Sequence, residues 1–402
     1  MFSPRNRMCL TGFVIDLAVM IALTVAPFYI YNQLGGDARM SGYFGGLQAV
    51  VYSAVCLLSS RWVSKSRNGL TWAYAGITVF TVLFSLIPFT RSIWACGLLG
   101  VGAWTGLATV WPALYSWLGA DPDPLRRKES LGWFNLSWSA GFAVSPLFAG
   151  PLYDYDYRLP FIALAALGAL SLALLLSLPH EHAYYGRRGE AAGGEKEEAD
   201  LESERFLYPA WMAVLMANFM VGVLRSVFPE RVKVLVETGA LRLFFEETPP
   251  ALLAGAPATT FSWIAFACSL TTAGLFLVLG HTHRWRHRAS WLIVPQLAAA
   301  AGFCLLGTTT SLAVMLAVSA VVGANLGVAF FAAVYYCVAN PARKHSRAAI
   351  NEAAVGMGGT LGSFIFGYLA GRYGMALPFL WFPAMMLPAL ALQLWILRPG
   401  RA

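Results

Sequence analysis

The chain has 402 residues, of which 58% are hydrophobic and only 12% are charged. Soluble globular proteins carry about 25% charged residues, so the composition excludes that class and predicts a protein that crosses a membrane many times. The formal net charge of +8 is therefore attributed to membrane topology and lipid contact, and no nucleic-acid partner is expected.

Twelve apolar stretches follow one another along the chain, and each is long enough to cross a bilayer as an α-helix of about 20 residues. The sequence therefore predicts an all-α integral membrane protein with twelve transmembrane helices. The predicted spans are 9–31, 40–58, 70–89, 92–118, 131–153, 159–178, 206–228, 257–280, 290–307, 311–338, 348–371 and 375–397. Loop 229–256 contains the segments VKVLV and LRLFF. They predict either a short amphipathic helix on the membrane surface or an extension of span seven followed by a turn.

Residues 180–205 separate spans six and seven with a stretch that is rich in Glu and Gly and has no apolar period. This composition predicts a disordered linker between two six-span domains, 1–179 and 206–402. The two domains repeat each other, since Leu-Pro-Phe occurs at the start of span six (159–161) and again near the start of span twelve (377–379). A parallel duplication of this kind indicates a transporter built of two pseudo-symmetric six-helix bundles.

Most of the 28 lysine and arginine residues fall in the two terminal tails, the linker and the loops after even-numbered spans. Loops rich in lysine and arginine remain on the cytoplasmic side of a membrane. We therefore expect a multi-pass protein of the plasma or inner membrane, with the linker and both termini in the cytoplasm.

Three ionisable residues lie within the predicted spans: Asp16, Arg225 and Glu352. Such a residue costs about 2.5–3.5 kcal/mol at the centre of a span, so it usually faces a cavity or a partner. Asp16 and Glu352 are therefore the predicted proton-coupling residues. The alternatives are a hydrated carboxylate near the cytoplasmic face for Asp16, a charge favoured by the helix N-terminus for Glu352, and a side chain that reaches outward to the interface for Arg225.

Small residues recur four apart in span five, which reads Gly141-x-x-x-Ser145-Pro146-x-x-Ala149-Gly150. Residues at this spacing lie on one helix face and allow another backbone to approach closely. With this motif, the six-plus-six repeat and the basic loop after span two, the sequence resembles the major facilitator superfamily across essentially the whole chain.

The resemblance implies that Gly141, Ser145, Pro146 and Gly150 form a conformational motif, which is frequent among antiporters of that family. It also implies that spans one, four, seven and ten surround a central cavity. A solute would be bound there near the bilayer midplane and released by alternating access. We further expect a monomer surrounded by membrane lipid.

The predicted cavity residues are mainly aromatic and amide side chains. On span four, three aromatic residues share one helix face, and span ten carries an amide and a tyrosine at the equivalent places. Two further amides match carboxylates of the other half in the repeat: Asn135 matches Glu352, and Asn218 matches Asp16. The full predicted set is Trp104, Trp111, Tyr115, Asn135, Asn218, Arg225, Asn325 and Tyr336. The alternative for the aromatic residues is packing or anchoring at the membrane interface.

No catalytic, cofactor or metal site is predicted. Three histidines occur in segment 281–287, but the arginines among and after them would repel a cation. HExxH, GxSxG and Walker motifs are absent from the sequence. We therefore expect neither an enzyme nor a bound cofactor.

These features predict a secondary active transporter of a small organic solute, driven by protons through Asp16 or Glu352. Export by antiport is the leading hypothesis, because of the span-five motif. The alternative is proton-coupled uptake of a sugar or an organic acid. A polytopic membrane enzyme or sensor is the alternative from a different class. An enzyme would gather catalytic side chains at one depth and a sensor would add a soluble output domain, and the sequence predicts neither.

Overall fold

A computed structural model describes residues 3–66, 68–121, 124–179, 201–244, 253, 255–338 and 344–398. Within these ranges the chain is almost entirely helical. The helices are α1 (Pro4–Gln33), α2 (Ala38–Lys65), α3 (Leu70–Leu86), α4 (Ile93–Gly119), α5 (Pro124–Val144), α6 (Pro146–Tyr155), α7 (Leu159–Leu176), α8 (Leu201–Ser226), α9 (Phe228–Glu237), α10 (Pro257–His281), α11 (Ala289–Thr308), α12 (Leu312–Val338), α13 (Lys344–Tyr373) and α14 (Leu377–Ile396).

Helix starts follow from local chemistry. The Ser3 hydroxyl accepts a hydrogen bond from the backbone N–H of Asn6, and the Asp37 carboxylate accepts one from Met40. Both side chains satisfy an amide that a helix start leaves without a partner. Proline occupies the first turn of α6, α9, α10 and α14, where its missing N–H is not needed.

The predicted twelve-span, all-α membrane fold is confirmed. In the described part of the chain, eleven helical segments are long and apolar enough to cross a membrane. The fifth span consists of α5 and α6, which Ser145 and Pro146 divide. The division follows from Pro146, because a proline inside a helix removes a hydrogen-bond donor and collides with the preceding turn.

The helices alternate in direction, so the molecule has two ends. We call the end that carries the last turn of α7 and the first turn of α8 the linker end, because residues 180–200 connect them. The opposite end, where α6 ends and α10 begins, is the far end. Residues 180–200 lie outside the described residues, so the predicted linker conformation stays a prediction.

The first half (α1–α7) and the second half (α8–α14) contact each other most extensively along α2 and α13. Glycines allow this contact: a Cβ atom on Gly42 would collide with the carbonyl oxygen of Ser363, and one on Gly367 would lie 2.8 Å from the Cα atom of Gly42. We call Gly42 and Gly367 the glycine seam. Backbones this close leave no room for a side chain.

Loop 229–256 matches the second of its two predicted structures in part. The segment VKVLV belongs to α9, which continues span seven after a break at Val227. Val232 and Leu235 are buried in the protein, so α9 is not a helix lying on a membrane surface. Arg242, in the segment LRLFF, instead forms a bridge with Ser311. Residues 245–252 lie outside the described residues.

Candidate functional site

Asp16 lies near the middle of α1 and is only 6% exposed. It is the thirteenth residue of a helix that rises about 1.5 Å per residue. The carboxylate is therefore far from either end, and the alternative of a hydrated position near the cytoplasmic face does not hold. Arg225 on α8 lies within electrostatic range of Asp16.

Arg225 points toward the first half, since its Nη2 atom lies 3.9 Å from the Sδ atom of Met20 on α1. The side chain therefore does not reach outward to the membrane interface, as the alternative reading required. Within the described residues, no carboxylate oxygen lies within 4.0 Å of its guanidinium group. Asp16 thus balances the charge of Arg225 at a distance, without a direct ion pair.

Glu352 is the ninth residue of α13, so it lies beyond the first helical turn. A helix N-terminus stabilises a negative charge mainly within its first turn, which weakens the helix-terminus alternative. The side chain is exposed to solvent although it lies among first-half residues, within electrostatic range of Tyr52, Cys56 and Tyr115. Glu352 is therefore an exposed carboxylate within electrostatic range of first-half residues.

Tyr52 on α2 and Tyr115 on α4 both lie within electrostatic range of Asp16 and of Glu352. One carboxylate from each half thus lies within electrostatic range of the same two tyrosines. Tyr115 is 39% exposed, so this part of the interior is accessible. Tyr115 is predicted from the aromatic face of span four, whereas Tyr52 is not among the predicted cavity residues.

Asn135 joins the aromatic residues of α4 and α5. Its Oδ1 atom accepts hydrogen bonds from the Tyr115 hydroxyl (3.2 Å) and from Trp138 Nε1 (3.0 Å). Trp111 packs edge-to-face against Trp138, with ring centroids 6.4 Å apart. Trp111, Tyr115 and Asn135 therefore belong to one cluster, to which the structure adds Trp138.

Trp104 lies nearer the start of α4 than Trp111. It packs between Tyr52 and Phe80, with ring-centroid distances of 5.9 and 6.3 Å. It is half-buried. Its contact with Tyr52 places it beside the residues that link the two carboxylates, while its contact with Phe80 is part of the core of the first half.

The second half departs from the expectation based on the repeat. Tyr336 is 1% exposed, stacks on Phe206 and accepts a hydrogen bond from the backbone N–H of His287 (3.0 Å). It is a core residue and does not line the cavity. The physical reason is that α8 and the loop before α11 cover the linker end of α12.

The two predicted amide residues of the second half, Asn325 and Asn218, are also largely enclosed. Asn325 is buried, with its Nδ2 atom 3.7 Å from the Sδ atom of Met220. Asn218 donates to the backbone carbonyl of Val214 in its own helix (2.8 Å). Their side chains therefore pack between helices, unlike the exposed Asn135 of the first half.

The span-five motif contacts one helix of each half, α1 and α10. A Cβ atom on Gly141 would collide with the carbonyl oxygen of Phe13 on α1, and the Ser145 hydroxyl donates to the carbonyl of Leu17 (2.7 Å). Beyond the break at Pro146, a Cβ atom on Gly150 would collide with the carbonyl oxygen of Ala258 on α10. The motif therefore connects α1 with the second half through a bent helix.

The two halves are joined at the far end of the molecule. The Tyr31 hydroxyl donates to the carbonyl of Ser226 (2.5 Å), and Phe28 packs on Phe261 with ring centroids 5.7 Å apart. These contacts are buried, whereas Tyr115 and Glu352, nearer the linker end, are exposed. The interior is thus closed at the far end and accessible from the linker end.

Comparisons with known proteins identify this arrangement. The sequence model of the Major Facilitator Superfamily matches residues 8–235, and no curated protein matches the chain. The fold is similar to that of a bacterial homologue of the human lysosomal transporter Spinster in an inward-facing, unoccupied conformation. That structure shares 15% identity and a TM-score of 0.75 over 99% of this chain and 98% of the other.

The fold is also similar to that of the nucleoside transporter NupG, with 13% identity and a TM-score of 0.70 over 99% of this chain and 100% of the other. At these identities the likeness concerns the fold alone. Together with the family match, it makes the chain a multi-pass membrane protein and a secondary transporter, not an enzyme.

Proposed function

Because the chain belongs to the Major Facilitator Superfamily, we propose that it moves a small organic solute by alternating access and that protons drive this movement. The observation that carries the proposal is that Asp16 and Glu352, one from each half, both lie within electrostatic range of Tyr52 and Tyr115. A rocking motion of the halves would change the surroundings of both carboxylates at once. Proton binding and conformation would thereby be coupled.

Export by antiport is the proposed direction. Its support is the span-five motif, whose Ser145 and Gly150 contact α1 and α10 respectively. A bent helix that touches both halves is well placed to transmit a change at α1 to the closure at the far end. The linker and both termini would lie in the cytoplasm, so the accessible side of the cavity would face the cell interior, where an exported solute is loaded.

Proton-coupled uptake of a sugar or an organic acid is the second candidate. Arg225 favours it, because a cation within electrostatic range of Asp16 can attract an anionic solute when Asp16 is protonated. Solute and proton would then move together. The sign of the pH change that accompanies transport in proteoliposomes distinguishes the two directions.

The coupling role is tested with Glu352→Gln and Asp16→Asn, using a solute first identified by its stabilisation of the purified protein in a thermal-shift screen. Glu352→Gln should preserve solute counterflow but abolish accumulation or extrusion driven by a proton gradient. Glu237→Gln is the control, because Glu237 is an exposed carboxylate at the end of α9. If both cavity variants respond to the gradient like the unmodified protein, neither carboxylate couples transport to protons.

A further inference from the structure

A small cavity lies between the halves, on the far-end side of Asp16. Its volume is about 50 Å³, and residues of α1, α5, α8, α9, α10 and α12 line it. Most of its wall is apolar. The polar side chains in the wall are those of Thr24, Arg225, Ser269 and Ser319.

The guanidinium group of Arg225 is a cation in this wall and, in the part of the chain that the structure describes, forms no direct ion pair. Its Nη2 atom lies 3.9 Å from the Met20 sulfur, a weak acceptor. Guanidinium carries five N–H donors in a planar arrangement that matches the oxygens of a carboxylate or a phosphate. Asp16 stabilises this cation at a distance, but within the described residues no protein carboxylate oxygen approaches the guanidinium within 4.0 Å. A direct anionic partner would therefore have to come from a ligand.

Ser319 provides an independent indication. Its side chain is fully buried in the wall of the same cavity, and its Oγ atom has no hydrogen-bond partner. Buried hydroxyls nearly always have a partner, so an atom inside the cavity would complete the hydrogen bonding of this residue. The hydroxyl of Thr24 already donates to the carbonyl of Met20.

We propose that Arg225 and Ser319 bind the anionic head group, a carboxylate or a phosphate, of a solute whose remaining part is apolar. This inference rests on the proposed transport function and names the class of its substrate. A cavity of about 50 Å³ exceeds the roughly 10–15 Å³ that one water requires on the same measure, so it holds a group of a few atoms. The head group therefore fits, and the apolar part of the solute would extend beyond this cavity.

The test uses the purified full-length protein in detergent and four ligands with one apolar body. They are 3-phenylpropanoate, 3-phenylpropyl phosphate, 3-phenylpropan-1-ol and 3-phenylpropylamine. Isothermal titration should give dissociation constants for the two anions that are at least about tenfold lower than those for the alcohol and the amine, as charged hydrogen bonds require. The ratio between carboxylate and phosphate identifies the preferred head group.

Variants assign the binding to the site. Arg225→Gln should weaken binding of the anions about tenfold or more, and Arg225→Lys should weaken it less because the charge is kept. Ser319→Ala should weaken it a few-fold. Ser262→Ala is the matched control, since Ser262 is equally buried and its hydroxyl also lacks a partner, but it is not part of this cavity wall.

The inference is overturned if the alcohol or the amine binds as tightly as the anions, if neither anion binds, or if Arg225→Gln binds them unchanged. Failure of the proposed function has a different signature. Glu352→Gln would then respond to a proton gradient as the unmodified protein does, while anion binding at Arg225 would persist. Loss of anion selectivity with intact proton coupling would remove only the head-group assignment.

Discussion

Asp154, at the end of α6 in the first half, accepts hydrogen bonds from the backbone N–H of Thr259 in the first turn of α10 (2.6 Å). A second, longer bond comes from Ala258 (3.3 Å). The first amides of a helix have no partner within the helix. The residue before α10 provides no side-chain acceptor for them, so a carboxylate from the other half accepts their hydrogen bonds. The contact joins the halves at the far end, where alternating access must separate them.

Replacing Asp154 by Ala should loosen this closure. Loss of a helix-capping carboxylate costs about 0.5–2 kcal/mol, and here the cost falls on the closed state alone. Cys268, which is buried in the wall of the small cavity, is a native reporter in a protein whose other cysteines are replaced by Ser. Its labelling by a thiol reagent should become several-fold faster.

The control is Asp156→Ala, because Asp156 is exposed and its carboxylate accepts a hydrogen bond from the backbone N–H of Arg158 in its own turn. Equal labelling rates in the Asp154 and Asp156 variants would show that the contact with α10 does not hold the far end closed.

A side chain at position 367 should destabilise the protein, whereas a side chain at Gly359 in the same helix should be tolerated. A Cβ atom on Gly367 meets the backbone of Gly42, whereas one on Gly359 has no heavy atom within 4 Å. Forcing helices apart costs about 1–3 kcal/mol, and Gly→Ala at an open helical site stabilises by about 0.4–1 kcal/mol. Thermal unfolding in detergent should therefore rank Gly359→Ala above the unmodified protein and Gly367→Ala below it. The reverse order would contradict the close approach of α2 and α13.

Trp111→Ala and Trp104→Ala should have different consequences. Trp111 contacts Trp138 in the cluster around Asn135 as well as the buried Phe134. Its loss should therefore reduce solute transport per folded molecule beyond what its loss of stability explains. Trp104 also packs on Phe80 in the core, and large-to-small core changes cost about 3–5 kcal/mol when a tryptophan is fully buried. We expect a clear drop in unfolding temperature for Trp104→Ala. Transport assays normalised to folded protein, measured beside melting curves, separate the two. If transport and stability fall in parallel in both variants, Trp111 contributes to packing and has no separate role in transport.

The orientation is open to a direct test. Cysteine substituted at Gly193 in the linker should react with an impermeant thiol reagent only after cells are opened. Cysteine at Glu237, which is exposed at the end of α9, should react in intact cells. The reason is the concentration of lysine and arginine in loops at the linker end. Labelling of position 193 from outside would reverse the topology and turn the proposed export into uptake.

The sequence by itself determined the class of protein, the twelve spans and the family resemblance, because burial of apolar helices in a bilayer leaves a pattern in every span. It also singled out Asp16, Arg225 and Glu352, since charge within a span is costly enough to be rare. Tyr336 is predicted by the symmetry of the repeat, but the structure buries its side chain. The repeat preserves helix positions, but segments at the linker end of the second half bury that side chain.

Only the tertiary structure decided which residues meet. Four residues carry no signal of their own in the sequence, because a tyrosine, a tryptophan, a serine and an aspartate at a helix end are common in membrane proteins: Tyr52, Trp138, Ser319 and Asp154. Two of these roles depend on partners more than 90 residues away in the sequence. Asp154 bonds to Thr259, and Ser319 lines the same cavity as Arg225. Such contacts arise from packing between segments, which local periodicity does not encode, and so the cavity and its closure are properties of the folded molecule.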